Sequence, residues 1–287
     1  MSGQIVKGQF GNLDDSDNMI SFTNFLFVPG NRPERFEKAA SAGANMICID
    51  LEDSVPEDQK EEARNSVLSA LTKLERKKTA VRINGMRTKA GLSDLLALVE
   101  SEHQPSVILL PMIESATEVE IVQAIIGNRI DGLIPLIETV KGLRAGDDIA
   151  ASEGVAAMMF GGGDFSAELG TKLEWEPLLV ARSQFIMCCA SANVVAVDVP
   201  YIDMSNDAGL DEECKKAKQL GFRAKAAIHP KQLATIQKVM RPSDADIAEA
   251  KEAVAAYDAA DGKAISHNGH MLEAPIMERY RRILASV

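Results

Sequence analysis

Eight short apolar runs, each followed by a segment of helical character, constrain this chain more than any other feature. In order they are FTNFLFVPG, NMICIDLED, TAVRINGM, SVILLPMIES, DGLIPLIET, VAAMMFGGGD, VVAVDVPYID and AKAAIHP. Short apolar runs bounded by turn residues fit strands buried on both faces. The segments between them have helix length, at about 32–42, 57–76, from 89, through 126, 141–151, through 192 and 211–221. Strands alternating with helices imply parallel βα units. Eight such units are the number that closes a TIM barrel. An open doubly wound sheet is the alternative, but it commonly has fewer strands. The expected fold is therefore α/β, a TIM (β/α)8 barrel over residues 22–240 with a C-terminal helical extension.

The flanks read differently. Residues 1–21 are polar and acidic, a flexible lead-in with neither the basic start nor the apolar core of a signal peptide. Beyond the barrel, 243–262 reads as a helix rich in alanine and acids, SHNGH as a polar turn, and MLEAPIMERYRRILASV as an amphipathic helix. Pro275 sits near the start of that last helix, where proline is tolerated. Ile276, Tyr280, Ile283 and Leu284 recur at helical spacing, so the extension over 241–287 should dock on another surface.

Charge and cysteine usage narrow the function. A net charge of −11 argues against nucleic acid or an anionic membrane as main partner. No apolar run is long enough to span a bilayer, and the cytoplasm is the expected location. Cys48, Cys188, Cys189 and Cys214 form no CxxC pair and have no histidine at metal spacing, so reduced cysteines without a chemical role are expected.

In a TIM barrel the chemistry gathers at the C-terminal ends of the strands. Those ends carry Pro29, Gly30 and Arg32; Asp50, Glu52 and Asp53; Arg82 and Asn84; Glu114; Glu138; Asp164; Pro200; and His229. The sixth run breaks into Gly161, Gly162 and Gly163 before Asp164, which lets a cation and a small substrate approach the backbone. The fifth delivers Glu138 in the same way. Each acid alone reads as a helix N-terminal carboxylate. Several together repel unless a cation neutralises them, which points to a hard divalent ion, magnesium. His229 suits barrel-end hydrogen bonding as well as catalysis, and His103, His267 and His270 read as surface positions. GGGDFS does not match a dinucleotide fingerprint, and no Ser-His-Asp order stands out.

The motifs FLFVPGNRPERF, ICIDLEDSV, VRIN, LIPLIETVKG, FGGGDFSAELG, AIHP and MLEAP occur in one order from about Phe25 to the C-terminus. Together they resemble the citrate lyase β-subunit-like members of the HpcH/HpaI aldolase/citrate lyase family, malyl-CoA and citramalyl-CoA lyases among them. The resemblance implies a TIM barrel with Mg²⁺ on Glu138 and Asp164. It implies Arg82 as the substrate-binding arginine, with Glu52 and Asp53 beside the metal and its waters. Pro29, Gly30 and Arg32 would line the coenzyme A and substrate entrance, and Pro200 is placed with that set. Such enzymes cleave a 3-hydroxyacyl-CoA into an acyl-CoA and a 2-oxo acid, or run the condensation. They form trimers or hexamers in which a neighbour's C-terminal segment supplies a catalytic carboxylate, here Glu273.

Three positions depart from the pattern. Glu273 stands where relatives have aspartate, Met112 where many have lysine, and Gly163 where many have glutamate. A citryl-ACP lyase subunit, a thioesterase, an aldolase on free 2-oxo acids and a non-catalytic assembly subunit remain alternatives.

Overall fold

The eight apolar runs become eight parallel strands in a computed structural model that describes residues 22–285. The expected flexible segment 1–21 lies outside the described residues. The strands are β1 (Asn24–Pro29), β2 (Met46–Asp50), β3 (Thr79–Arg82), β4 (Val107–Leu110), β5 (Gly132–Ile137), β6 (Ala157–Phe160), β7 (Val195–Asp198) and β8 (Ala224–Ala227). Each pairs in parallel with the next, and β8 returns to β1 with Phe25 opposite Ala226, closing the barrel. Alternation along the strands sorts two cores. Phe25, Cys48, Ala80, Leu109, Leu136 and Met159 fill the barrel interior. Leu26, Ile47, Ile49, Val81, Ile108 and Phe160 face outward against the helices. All four cysteines are buried and free, and burial pushes their thiols upward.

Between the strands run α1 (Phe36–Ala40), α2 (Lys60–Leu71), α3 (Lys89–Glu100), α4 (Ala116–Ile126), α5 (Val140–Arg144), α6 (Gly146–Ala150), α7 (Gly162–Leu169), α8 (Trp175–Ser191), α9 (Asp207–Leu220) and α10 (Leu233–Met240). The helix expected over 141–151 is two pieces, interrupted where Ala145 leaves helical geometry (φ −93°, ψ 6°). The long region expected through 192 is also two helices. Gly170 ends the first in a left-handed cap (φ 68°), a conformation glycine adopts without strain. The helices expected at 32–42 and 57–76 shorten to α1 and α2, each entered through a 3₁₀ turn.

A buried ion network ties the last strands to their helices. Lys225 Nζ donates to Asp198 Oδ2 at 2.6 Å, to Glu213 Oε1 at 2.7 Å and to the Val199 carbonyl at 2.7 Å. Arg182 from α8 completes it, its Nε donating to Asp198 Oδ1 at 3.2 Å while its guanidinium lies over the Phe160 and Trp175 rings. Two cations thus balance two carboxylates between strands and helices, which makes the burial of these charges tolerable.

The extension comprises α11 (Asp244–Ala259), β9 (Ile265–His267), β10 (His270–Leu272) and α12 (Ala274–Ala285). Ser243 opens α11 with a reciprocal capping box to Asp246. SHNGH, expected as a polar turn only, is the tip of an antiparallel hairpin. Asn268 and Gly269 take positive φ (49° and 81°), the two-residue connection whose twist suits paired strands. Ala250, Ala253, Tyr257, Leu272, Met277 and Tyr280 form a separate small core. Met277, rather than the expected Ile276, is the fully buried anchor of α12; Ile276 is 37% exposed. No helix among the described residues is long and apolar enough to cross a membrane.

Candidate active site

Strand register brings the acids together. Asp50 ends β2 and Arg82 ends β3, and the two are direct cross-strand partners. Arg82 Nε donates to Asp50 Oδ1 at 2.6 Å and Nη2 to Oδ2 at 2.8 Å, a two-pronged clamp. Arg82 Nη1 stands 2.9 Å from Glu52 Oε2 and 3.4 Å from Asp53 Oδ2. The guanidinium also lies over Phe27 of β1, 5.1 Å from its centroid. Arg82 therefore arrives with its Nε/Nη2 edge held by Asp50 and its Nη1 ion-paired with Glu52 and Asp53.

Asp50 organises the loop that follows it. Besides Arg82, its oxygens accept the N–H groups of Glu52 at 2.9 Å and Ser54 at 3.1 Å. Lys60 Nζ braces the same loop by donating to the Leu51 and Glu52 carbonyls at 2.9 and 2.7 Å. Burial works to raise the Asp50 carboxyl, but hydrogen bonding and charge from Arg82 outweigh it and hold it below the usual range.

Glu138 follows β5, and Asp164 stands in the first turn of α7, after β6. Burial pushes Glu138 up to about 7 against the Met112 N–H and Arg82, with repulsion from Asp164 and Asp53 adding to the rise. Burial likewise pushes Glu52 up to about 8 despite Arg82, with Glu138, Asp53 and Asp50 repelling it. Glu52 Oε2 is buried and, despite its nearness to Arg82, makes no hydrogen bond. Such a cluster is poorly satisfied by the protein alone. A divalent cation among these carboxylates would favour their ionised forms and relieve the repulsion.

The donor set fits magnesium in number as well as type. Among the described residues no three His, Cys, Asp or Glu side chains converge as a preformed metal cage. Magnesium needs none: it is commonly held by one or two carboxylates and completes its octahedron with water and substrate oxygens. Gly161 leaves the Glu138 side chain its place, since a Cβ there would lie 2.2 Å from Glu138 Cγ.

The remaining strand-end residues take other places. Asn84 is turned away, its backbone N–H and side-chain amide both donating to buried Asp94. Glu114 belongs to a rim cluster with Arg87 and Lys141, whose hydrogen bonds lower its carboxyl to about 2. His229 accepts the Lys231 N–H through Nδ1 and starts a helical turn. Gly30 packs so closely on β2 that a Cβ would meet the Asp50 carbonyl oxygen at 2.7 Å, a structural demand on a residue expected to line the entrance. Pro29 and Pro200 are half-buried and Arg32 is exposed. Glu273, at the start of α12, is exposed and makes no side-chain hydrogen bond or ion pair with these residues. The sequence places Asp50 among the strand-end acids of IDLED but gives it no role in the site. It gives no sign of the Met112 N–H, because a backbone donor leaves no mark in the residue type.

The model of the HpcH/HpaI aldolase/citrate lyase family matches residues 24–230. The chain belongs to that family. The family is one of aldolases and lyases, and the acid-lined mouth lies wholly inside the matched region. This family member is 33% identical to an L-malyl-CoA/beta-methylmalyl-CoA lyase of Cereibacter sphaeroides, over 83% of this chain and 85% of that one. It is 34% identical to a citrate lyase subunit beta-like protein of Mycobacterium tuberculosis, over 91% and 93% of the two chains. Among solved structures, the protein CitE from Mycobacterium tuberculosis in complex with magnesium, acetoacetate and coenzyme A superposes with a TM-score of 0.79. That pair is 32% identical, over 93% of this chain and 98% of the other.

Proposed function

We propose that this chain is a magnesium-dependent lyase that cleaves, or forms, a 3-hydroxyacyl-CoA such as malyl-CoA or citramalyl-CoA, yielding an acyl-CoA and a 2-oxo acid. One observation carries the reading: Glu138 and Asp164 stand within electrostatic reach of each other beside Arg82, in a barrel whose family consists of aldolases and lyases. Magnesium and coenzyme A in a relative of similar fold support it.

Carbon–carbon cleavage of such a thioester takes the proton from the 3-hydroxyl to a water beside Glu52 and Asp53. It then moves the C2–C3 electron pair onto the thioester enolate as the 3-oxygen becomes the carbonyl of the 2-oxo acid. Glu138 and Asp164 would hold Mg²⁺, which would supply Lewis-acid stabilisation of the charge on the 3-oxygen. Arg82 binds the substrate carboxylate through the edge that Asp50 does not occupy. Glu52 and Asp53 orient Arg82 and hold water beside the metal-binding carboxylates. Pro29, Gly30, Arg32 and Pro200 border the entrance for the coenzyme A arm. Glu273, delivered from a neighbouring copy in a trimer or hexamer, protonates the enolate carbon, or removes that proton in condensation.

The test is to incubate the protein with acetyl-CoA or propionyl-CoA, a panel of 2-oxo acids and Mg²⁺, reading products by mass. A magnesium-dependent 3-hydroxyacyl-CoA is expected. Release of free acid without condensation would instead make the protein a thioesterase.

A further inference from the structure

Four non-glycine residues take positive φ among the described residues, and three have an ordinary reason. Asn193, Asp261 and Asn268 are exposed residues of the types that enter the left-handed region most readily. The fourth is Met112, at φ 56°, two residues beyond the end of β4. Its side chain is 40% exposed, so packing of the thioether does not account for the backbone. The backbone N–H does: it donates to Glu138 Oε2 at 2.7 Å. Gly161, after β6, lets its main chain pass close against the same side chain, since a Cβ there would fall 2.6 Å from Glu138 Oε1. Main chain from the two strands flanking β5 thus confines one carboxylate.

We propose that the left-handed backbone at Met112 is a positioning element that holds the Glu138 carboxylate ready for its cation, with the methionine side chain incidental. The proposal rests on the reading of Glu138 as a magnesium ligand. Strain kept at a functional site is a known use of sparsely populated backbone conformations. It implies that substitutions at 112 rank by their tolerance of positive φ and not by likeness to methionine.

The experiment is calorimetric titration of Mg²⁺ into wild type, Met112→Gly, Met112→Asn and Met112→Ile, with thermal melts of each metal-free protein. Gly and Asn should keep the wild-type affinity within about threefold, while the β-branched Ile weakens it by about tenfold. The reverse order, or equal affinity throughout, overturns the proposal while leaving magnesium binding intact. A wild type that binds no magnesium overturns the ligand reading and the proposal together. Should Met112→Ile fail to fold, amide exchange in metal-free protein decides. The Met112 amide should exchange at least about tenfold faster in Glu138→Ala than in wild type, since the substitution removes its acceptor; equal rates overturn the proposal.

Discussion

In the proposed mechanism Arg82 is both scaffold and tool. Its Nε/Nη2 edge is fixed by Asp50, and that fixation decides where the remaining N–H groups point. Lysine at this position would keep the charge and lose the fork. Arg82→Lys should therefore lower kcat/KM by about two orders of magnitude, the scale of loss that accompanies a misplaced substrate, as steady-state kinetics will read. Asp164→Ala should abolish magnesium binding by calorimetry and with it cleavage; full activity in EDTA would refute the metal reading. Glu52 and Glu138 also tie stability to pH. Their carboxyls, raised to about 8 and about 7, hold protons in the native state that the unfolded chain has already released above its own value of 4.5. The contribution of these protonated forms is complete below that value and is lost as pH rises through 7 and 8. The metal-free melting temperature should thus fall from about pH 5 to about pH 8, and magnesium should raise it more at the upper end. At this scale the acids were legible because each ends an apolar run. The clamp by Asp50 was not, since residue types do not reveal which acid an arginine will choose.

The strands were legible in number and order because parallel strands buried on both faces leave unbroken apolar runs. Their ends were not, because the runs continue into loops: RINGM and GGGD read as strand but leave the ladder after Arg82 and Phe160. The split of 141–151 falls at Ala145 just before Gly146, a lone glycine of the kind that a helix also tolerates in its interior. In the SHNGH hairpin, three-residue strands are too short for alternation to appear, although Asn268–Gly269 is the turn pair such hairpins favour. Lys225 also looked unremarkable, a lysine inside AKAAIHP. It is fully buried and satisfies two carboxylates and a carbonyl, so Lys225→Met should strand Asp198 without that partner. A destabilisation of about 3–5 kcal/mol is expected from urea unfolding, with m unchanged.

The molecule as a whole is a closed barrel with a small second core attached. That second core gives α12 a partner in its own chain, answering the expectation that the amphipathic tail must dock. It leaves Glu273 exposed at the helix start, consistent with service to another copy. If so, Glu273→Gln should cut turnover by about 10²–10⁴-fold, the usual worth of acid–base work. Glu273→Gln and Asp164→Ala proteins, each impaired alone, should together exceed the activity of either when their subunits are exchanged. No recovery after verified exchange would place the proton donor within a single chain. The assignment of Glu273 came entirely from resemblance, since an isolated carboxylate before a helix says nothing about which subunit it serves.

Pairing of β8 with β1 joins residues separated by some 200 positions, Phe25 with Ala226. During synthesis every acid of the mouth emerges before the strand that seals the ring. Until then the first and seventh strands present raw edges to the cell, each a template for unwanted pairing. A ribosome stalled just short of Ala224 would therefore release a polypeptide with all its mouth acids and no ring to hold them, and aggregation is the expected fate of that fragment.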